Sequence, residues 1–170
     1  LPMILDEQGA KLSKRTGAAD VMQYRDAGYL PHALLNYLVR LGWSHGDQEI
    51  FTREEMIALF DIADVNKAAS AFNPEKLLWL NQQHLMRTLP AKVAPYFKAH
   101  LERLGLPTAD DALIEGVILA QRERTKTLKE MAQASRYFFT DTLEFDAKAV
   151  AKHLTAESKP MLAKLRERLA

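Results

Sequence analysis

Cysteine is missing from this 170-residue chain, so disulfide bonds and thiolate zinc sites are both excluded. The five histidines form no close metal-binding pair, and we therefore expect no metal site. No apolar run is long enough to cross a bilayer, and no charged start followed by an apolar core marks a signal peptide. We therefore expect a soluble, cytoplasmic protein that has no membrane partner.

A charge imbalance is also missing, because the formal net charge is +1. Taken over the whole chain, this value does not predict a nucleic-acid partner, so any anion-binding surface must be local. One local concentration of cations is Lys11-Leu12-Ser13-Lys14-Arg15, which follows a turn at Gly9. Such a loop suits a polyphosphate, because ammonium groups stabilise the charge that develops when a nucleotide is attacked at its α-phosphate. On composition alone, a solvated basic surface is the commoner interpretation.

A second concentration of cations lies at residues 121–129, where Arg122, Arg124, Lys126 and a further lysine interrupt the apolar pattern. Thr125 or Thr127 can cap the helix that follows. The residues alone favour a solvated joint between two helices with i,i+4 charge pairs. Contact with RNA is the alternative at this point.

Helical periodicity dominates the sequence and predicts an all-α fold with one short β-hairpin at residues 1–15. Helix starts are predicted from capping residues and prolines at Pro31, Thr52 with Glu55, Asn73 with Pro74, Asp110, and Asp146. One helical layer ends near Pro90, which predicts a division into residues 1–88 and 89–170.

Several apolar and aromatic side chains are predicted to build the core. Trp43 is expected to pack on the helical hairpin before it, and Ile57 and Phe60 are expected to point their helix inward. The helix after Asp110 is expected to present Leu113, Val117 and Ala120 on one side. The run at 137–139, Tyr-Phe-Phe, is predicted to close a bundle rather than to stack on bases.

Beyond these patterns, the ordered motifs of the first 85 or so residues resemble bacterial glutamyl-tRNA synthetase, a class I aminoacyl-tRNA synthetase. Lys11-Leu12-Ser13-Lys14-Arg15 resembles the KMSKS loop, and KLSKR is a common form of it in the glutamyl branch. The other motifs of the resemblance are Pro2-Met3-Ile4-Leu5-Asp6, Tyr24-Arg25-Asp26-Ala27-Gly28-Tyr29-Leu30-Pro31, Asn36-Tyr37-Leu38, Leu41-Gly42-Trp43-Ser44 and Lys76-Leu77-Leu78-Trp79-Leu80-Asn81.

The resemblance implies a ligase that joins glutamate to AMP from ATP, with Mg²⁺, and then transfers the glutamyl group to tRNA(Glu). It implies that Lys14 and Lys11 are catalytic, that Lys11, Ser13, Lys14 and Arg15 bind ATP, and that residues 1–88 contact the tRNA acceptor stem. It also implies that residues 89–170 begin a helical anticodon-binding bundle in which Arg124, and next Arg122 or Lys126, approach an anticodon base. We expect the parent protein to be a monomer.

The resemblance also implies that a part of the family is missing, because the HIGH signature and the amino-acid pocket are not in these residues. We therefore expect a fragment that starts just before the KMSKS loop, binds no ATP of its own, and is inactive alone. A glutaminyl-tRNA synthetase is disfavoured because its anticodon region is typically a β-barrel. A glutamyl-queuosine synthetase relative is disfavoured because it lacks the helical bundle. A non-catalytic helical module that binds RNA or protein is the remaining alternative.

Overall fold

The computed structural model describes residues 2–12, 20–142 and 145–169, which fall into two compact units, Leu1–Phe139 and Thr140–Ala170. The described part of the chain is mostly helical, as the sequence predicts, and it contains two short strands. The elements of the first unit are β1 (Ile4–Leu5), α1 (Val21–Ala27), α2 (Pro31–Arg40), α3 (Arg53–Leu59), β2 (Ser70–Ala71), α4 (Pro74–Arg87), α5 (Pro90–Arg103), α6 (Asp111–Gln121) and α7 (Leu128–Ala134). The second unit contains α8 (Ala147–His153) and α9 (Ser158–Leu169).

Strand β1 pairs mainly with a strand that is distant in sequence, and not with the second half of the predicted hairpin. A turn with Gly9 at φ 80° does fold the chain back, and Leu5 and Lys11 form an isolated antiparallel bridge. The regular ladder, however, is parallel and joins β1 to β2, with Ile4 opposite Ser70. Strand β2 was not predicted, because a two-residue strand has no alternation that a sequence pattern can show.

Helix ends follow the predicted capping chemistry. Thr52 and Glu55 form a complete capping box at the start of α3, and Asn73 accepts a hydrogen bond from Lys76 N at the start of α4. Asp110 caps α6 and Asp146 caps α8 in the same way. These predictions are confirmed.

Two helix faces differ from the predicted ones by one residue. In α3 the buried residue is Met56, whereas Ile57 is 72% exposed, so the prediction that Ile57 points inward is wrong. Phe60 is partly exposed, although its ring lies 5.8 Å from that of the buried Trp43. In α6 the buried face includes Ile114 and Ile118 together with Val117, while Ala120 is exposed.

The first unit has three apolar clusters in its described residues. The largest joins Leu30 and Leu85 to Val93, Phe97 and the helices that follow, so it spans the predicted boundary at residue 88. A second cluster packs α2 against α4 through Leu34, Tyr37, Leu77 and Leu80. The third surrounds Trp43 with Phe51 and Met56, which confirms that this indole is a core residue. The chain on both sides of residue 88 thus shares one core.

Candidate nucleic-acid interface

The first candidate site is the stretch that resembles a KMSKS loop, and the structure describes only its base. Lys11 is exposed at the end of the turn, where Leu12 N donates to Ile4 O at 2.9 Å and Asp6 N donates to Ala10 O at 2.7 Å. The Asp6 carboxylate accepts from Gln8 N and Ala10 N, at 3.0 and 2.8 Å. Ser13, Lys14 and Arg15 lie outside the described residues, so their roles stay predictions.

The second candidate site is the loop at residues 122–127, which connects α6 to α7 and is called the basic joint here. Arg124 and Lys126 are exposed and Arg122 is half-buried. Among the described residues, no ion pair joins these three cations to a carboxylate. Thr127, rather than Thr125, caps the following helix, because its Oγ1 accepts from Glu130 N at 3.1 Å. The joint therefore presents cationic side chains from a defined loop.

The backbone of the basic joint is fixed by hydrogen bonds within it and around it. Thr125 is buried, and its Oγ1 donates to Gln121 O at 3.0 Å. Lys126 N donates to Glu130 Oε2 at 2.8 Å. From α4, Asn81 Nδ2 donates to Lys126 O at 2.6 Å and Gln82 Nε2 donates to Glu123 O at 3.0 Å. Sequence reasoning gave Asn81 and Gln82 no role, although Asn81 ends one of the family motifs.

The turn between α1 and α2 also contacts the end of the joint. Leu128 N donates to Gly28 O at 2.9 Å, and Gly28 has a φ of 89°. A Cβ at Gly28 would lie 2.3 Å from Lys129 N and 2.8 Å from Leu128 N, so the two backbones pass too closely for a side chain. Gly28 ends α1 in the left-handed conformation and also permits this contact.

The aromatic residues at 137–139 are less buried than predicted. Phe139 packs against the large core cluster, but Tyr137 and Phe138 are 52% and 38% exposed. Their ring centroids are 4.3 Å apart, and Gln121 Nε2 donates to the Tyr137 hydroxyl at 3.0 Å. The prediction that all three rings close a bundle is thus correct only for Phe139. The Gln121 bond places Tyr137 beside the start of the basic joint.

A cavity of about 1100 Å³ opens between α2, the 47–55 segment and the α4–α5 connection. Its lining is of mixed charge, because it includes Asp47 and Glu54 as well as Arg53, Arg87 and Lys92. A polyanion requires a surface of one sign, so this cavity does not suit an RNA backbone.

Buried polar side chains form hydrogen bonds between the segments that line this cavity. Asn36 Oδ1 accepts from Phe51 N and pairs with His84 Nε2, both at 2.9 Å, and Asn36 Nδ2 donates to Glu49 O at 3.2 Å. The His32 and His84 rings meet edge to face with centroids 5.1 Å apart. Burial, and secondarily the neighbouring His32, lowers the pKa of His84 to about 4. The histidine is therefore neutral at neutral pH and fits an uncharged network.

The described residues contain neither a metal-binding cluster nor a membrane-spanning helix. No group of three His, Asp or Glu side chains in residues 2–12, 20–142 and 145–169 is placed to hold a metal ion. In the same residues, no helix is both long enough and apolar enough to span a membrane.

Comparison with known proteins matches the two parts of the chain to two families. Residues 1–79 match the family "tRNA synthetases class I (E and Q), catalytic domain", and residues 88–170 match the family "Anticodon binding domain". Glutamate–tRNA ligase 1 of Alkalilimnicola ehrlichii is 55% identical over all 170 residues, and glutamate–tRNA ligase 2 of Coxiella burnetii is 56% identical over the same length. The chain spans 36% of the length of each of these relatives.

A solved structure supports the same assignment. The crystal structure of a glutamate tRNA ligase from Elizabethkingia meningosepticum, in complex with its amino acid, superposes with a TM-score of 0.77 at 33% identity. The match covers 97% of this chain and 36% of that one. The identity over the whole chain and the shared fold together show that the chain is homologous to bacterial glutamate–tRNA ligases, with one part that matches a class I tRNA synthetase catalytic domain and one that matches an anticodon-binding domain.

Proposed function

We propose that this chain supplies the KMSKS loop and tRNA-binding helices of a glutamate–tRNA ligase, which attaches glutamate to tRNA(Glu) through glutamyl-adenylate. The observation that carries the proposal is the identity of 55% to a glutamate–tRNA ligase over all 170 residues. A helical module that only binds RNA or protein is less well supported, because residues 1–79 match the family of a catalytic domain.

The proposed chemistry of the first site is electrostatic. Lys11, Ser13, Lys14 and Arg15 bind the ATP phosphates, and Lys14 with Lys11 stabilises the departing pyrophosphate. Mg²⁺ accompanies ATP in the parent enzyme and adds further positive charge beside the phosphates. The exposure of Lys11 at the end of a hydrogen-bonded turn is compatible with this role.

The proposed partner of the second site is tRNA(Glu). The basic joint contacts the anticodon region through Arg124, assisted by Arg122 and Lys126, and its exposed cations support this assignment. The helices before residue 88 contact the acceptor stem, and those from residue 89 begin the anticodon-binding bundle. This is a functional division, since the two parts share a core. We also propose that the parent enzyme is a cytoplasmic monomer.

A salt-dependent binding assay tests the tRNA assignment. We expect the chain to bind a tRNA(Glu) transcript more tightly than a generic RNA duplex, and we expect Arg124→Ala to weaken tRNA binding and to make its salt dependence less steep. Lys92→Ala, at an exposed lysine that lines the cavity of mixed charge, is the control and should have a smaller effect. Equal binding of tRNA and duplex, unchanged by Arg124→Ala, would refute the assignment.

A second assay tests whether the chain needs the rest of the enzyme to activate glutamate. We expect the chain alone to give no ATP–pyrophosphate exchange with glutamate, because the amino-acid pocket of the family has no counterpart in its sequence. Measurable exchange by the purified chain would contradict the expectation.

A further inference from the structure

Asn81 is a buried residue of α4, and both the oxygen and the nitrogen of its side-chain amide form hydrogen bonds. The residue has no exposed surface, its Oδ1 accepts from Leu30 N at 2.8 Å, and its Nδ2 donates to Lys126 O at 2.6 Å. Leu30 is 51 positions from Asn81 in sequence and Lys126 is 45 positions away. A buried amide is costly unless it is hydrogen-bonded, so this position is suited to linking two distant backbones.

The two backbones that Asn81 links lie in parts of the chain that match different families. Leu30 precedes α2 in the turn that follows α1, and Lys126 lies within the basic joint. The same turn and joint also meet directly through the bond from Leu128 N to Gly28 O. Asn81 therefore lies at the point where the catalytic-family part of the chain contacts the joint.

Gln82, the next residue of α4, forms a hydrogen bond with the first part of the joint. Its Nε2 donates to Glu123 O, the carbonyl just before Arg124, while Asn81 holds the carbonyl of Lys126 itself. Arg124 thus lies between two backbone carbonyls that are fixed from α4. Because the backbone on both sides of Arg124 is held by these hydrogen bonds, few φ/ψ values are accessible to it. The direction of its Cα–Cβ bond is therefore fixed.

From this geometry we propose that Asn81 and Gln82 are positioning residues, which hold the basic joint so that its cations meet RNA without prior reorganisation. The inference rests on the proposed role of the joint in tRNA binding. A joint released from α4 would still carry the same charge. It would, however, lose conformational entropy on binding, and its affinity for RNA would therefore fall.

The test compares single variants with a control of matched position. Asn81→Ala removes both links, and Gln82→Ala removes only the bond to Glu123 O. Asn73→Ala removes the cap of the same helix, which costs stability but touches no residue of the joint. The readout is affinity of the chain for a tRNA(Glu) transcript over a series of salt concentrations, with circular dichroism to verify folding.

We expect Asn81→Ala to weaken binding about tenfold and Gln82→Ala a few-fold, with the salt dependence unchanged in both because the cations of the joint are retained. Asn73→Ala should stay within about twofold of the parent chain. Hydrogen exchange adds a direct readout, because the Leu30 amide loses its acceptor only in Asn81→Ala.

A double-mutant cycle separates positioning from a general loss of stability. In a chain that already carries Arg122→Ala, Arg124→Ala and Lys126→Ala, the α4 substitutions should have no further effect on affinity. If Asn81→Ala and Gln82→Ala weaken binding no more than Asn73→Ala, or still weaken it in that background, the inference is wrong. If Asn81→Ala fails to fold, Gln82→Ala decides.

One outcome distinguishes this inference from the proposed function. If the triple substitution itself leaves tRNA binding unchanged, the joint is not an RNA contact, and both the proposed contact and the inference fail. If the triple substitution weakens binding but the α4 variants behave like Asn73→Ala, only the inference fails.

Discussion

Gly28→Ala is expected to destabilise the first unit far more than an ordinary glycine substitution at positive φ. The new methyl group would lie 2.3 Å from Lys129 N, and it must move to at least 3.4 Å to reach an ordinary contact. The nearest atoms belong to the backbone at the start of α7, which cannot rotate away as a flexible side chain would. The turn and the helix must therefore separate by about an ångström.

The magnitude follows from three contributions. A non-glycine residue in the left-handed region costs about 1–2 kcal/mol. Loss of the hydrogen bond from Leu128 N to Gly28 O costs about 1 kcal/mol. Displacement of the buried Leu128 and Met131 at the start of α7 adds about 1–2 kcal/mol of lost packing. We expect a total loss of about 3–5 kcal/mol in the free energy of unfolding.

Gly105→Ala provides the matched control, because Gly105 has a φ of 68° and a Cβ there would meet nothing within 4 Å. Its expected loss is only the conformational cost, about 1–2 kcal/mol. Urea unfolding followed by tryptophan fluorescence is the assay, since Trp43 and Trp79 both lie in the first unit. Equal losses for the two variants would refute the argument that close backbone approach, rather than φ alone, requires glycine at position 28.

Three further predictions concern the buried network and the register of α3. Because the pKa of His84 is lowered to about 4, the unfolded chain binds more protons below pH 6.5. The free energy of unfolding should therefore fall by on the order of 1 kcal/mol per pH unit as pH decreases from 6.5 to 4, and His84→Gln should reduce this slope in acid titrations of urea midpoints. Asn36→Ala should cost about 3 kcal/mol or more by urea unfolding, because it leaves the buried Phe51 N–H and two other groups without a partner. Met56→Ala should cost about 2–4 kcal/mol, whereas Ile57→Ser should stay within about 0.5 kcal/mol, and the reverse order in thermal unfolding would mean that α3 is rotated.

Local chemistry made the helix ends predictable from sequence. The hydrogen bonds that define a cap join residues only three positions apart, as at Asn73 and Lys76. The interacting residues are therefore close together in the sequence. The face of α3 was not predictable, because a seven-residue helix has fewer than two turns and the apolar pattern fits two adjacent registers. Strand β2 was missed because its partner is far away in sequence.

The candidate sites show the same difference between features that are local in sequence and features that join distant residues. Clusters of cations at Lys11 and in the basic joint are visible in the sequence because their charges are consecutive or nearly so. The assignment of ATP and tRNA contacts to these clusters stays a prediction. The two hydrogen bonds of Asn81 could not be foreseen, since each depends on a backbone about fifty positions away.

The parallel pairing of β1 with β2 has a consequence for the order of folding. Ile4 reaches its partner Ser70 only after the intervening chain has been synthesised, whereas each helical hairpin closes through neighbours in sequence. Closing so long a loop has a high entropic cost, which the compact helices reduce by shortening the effective distance. We therefore expect the pairing of β1 with β2 to be among the last parts of the first unit to form as the nascent chain leaves the ribosome.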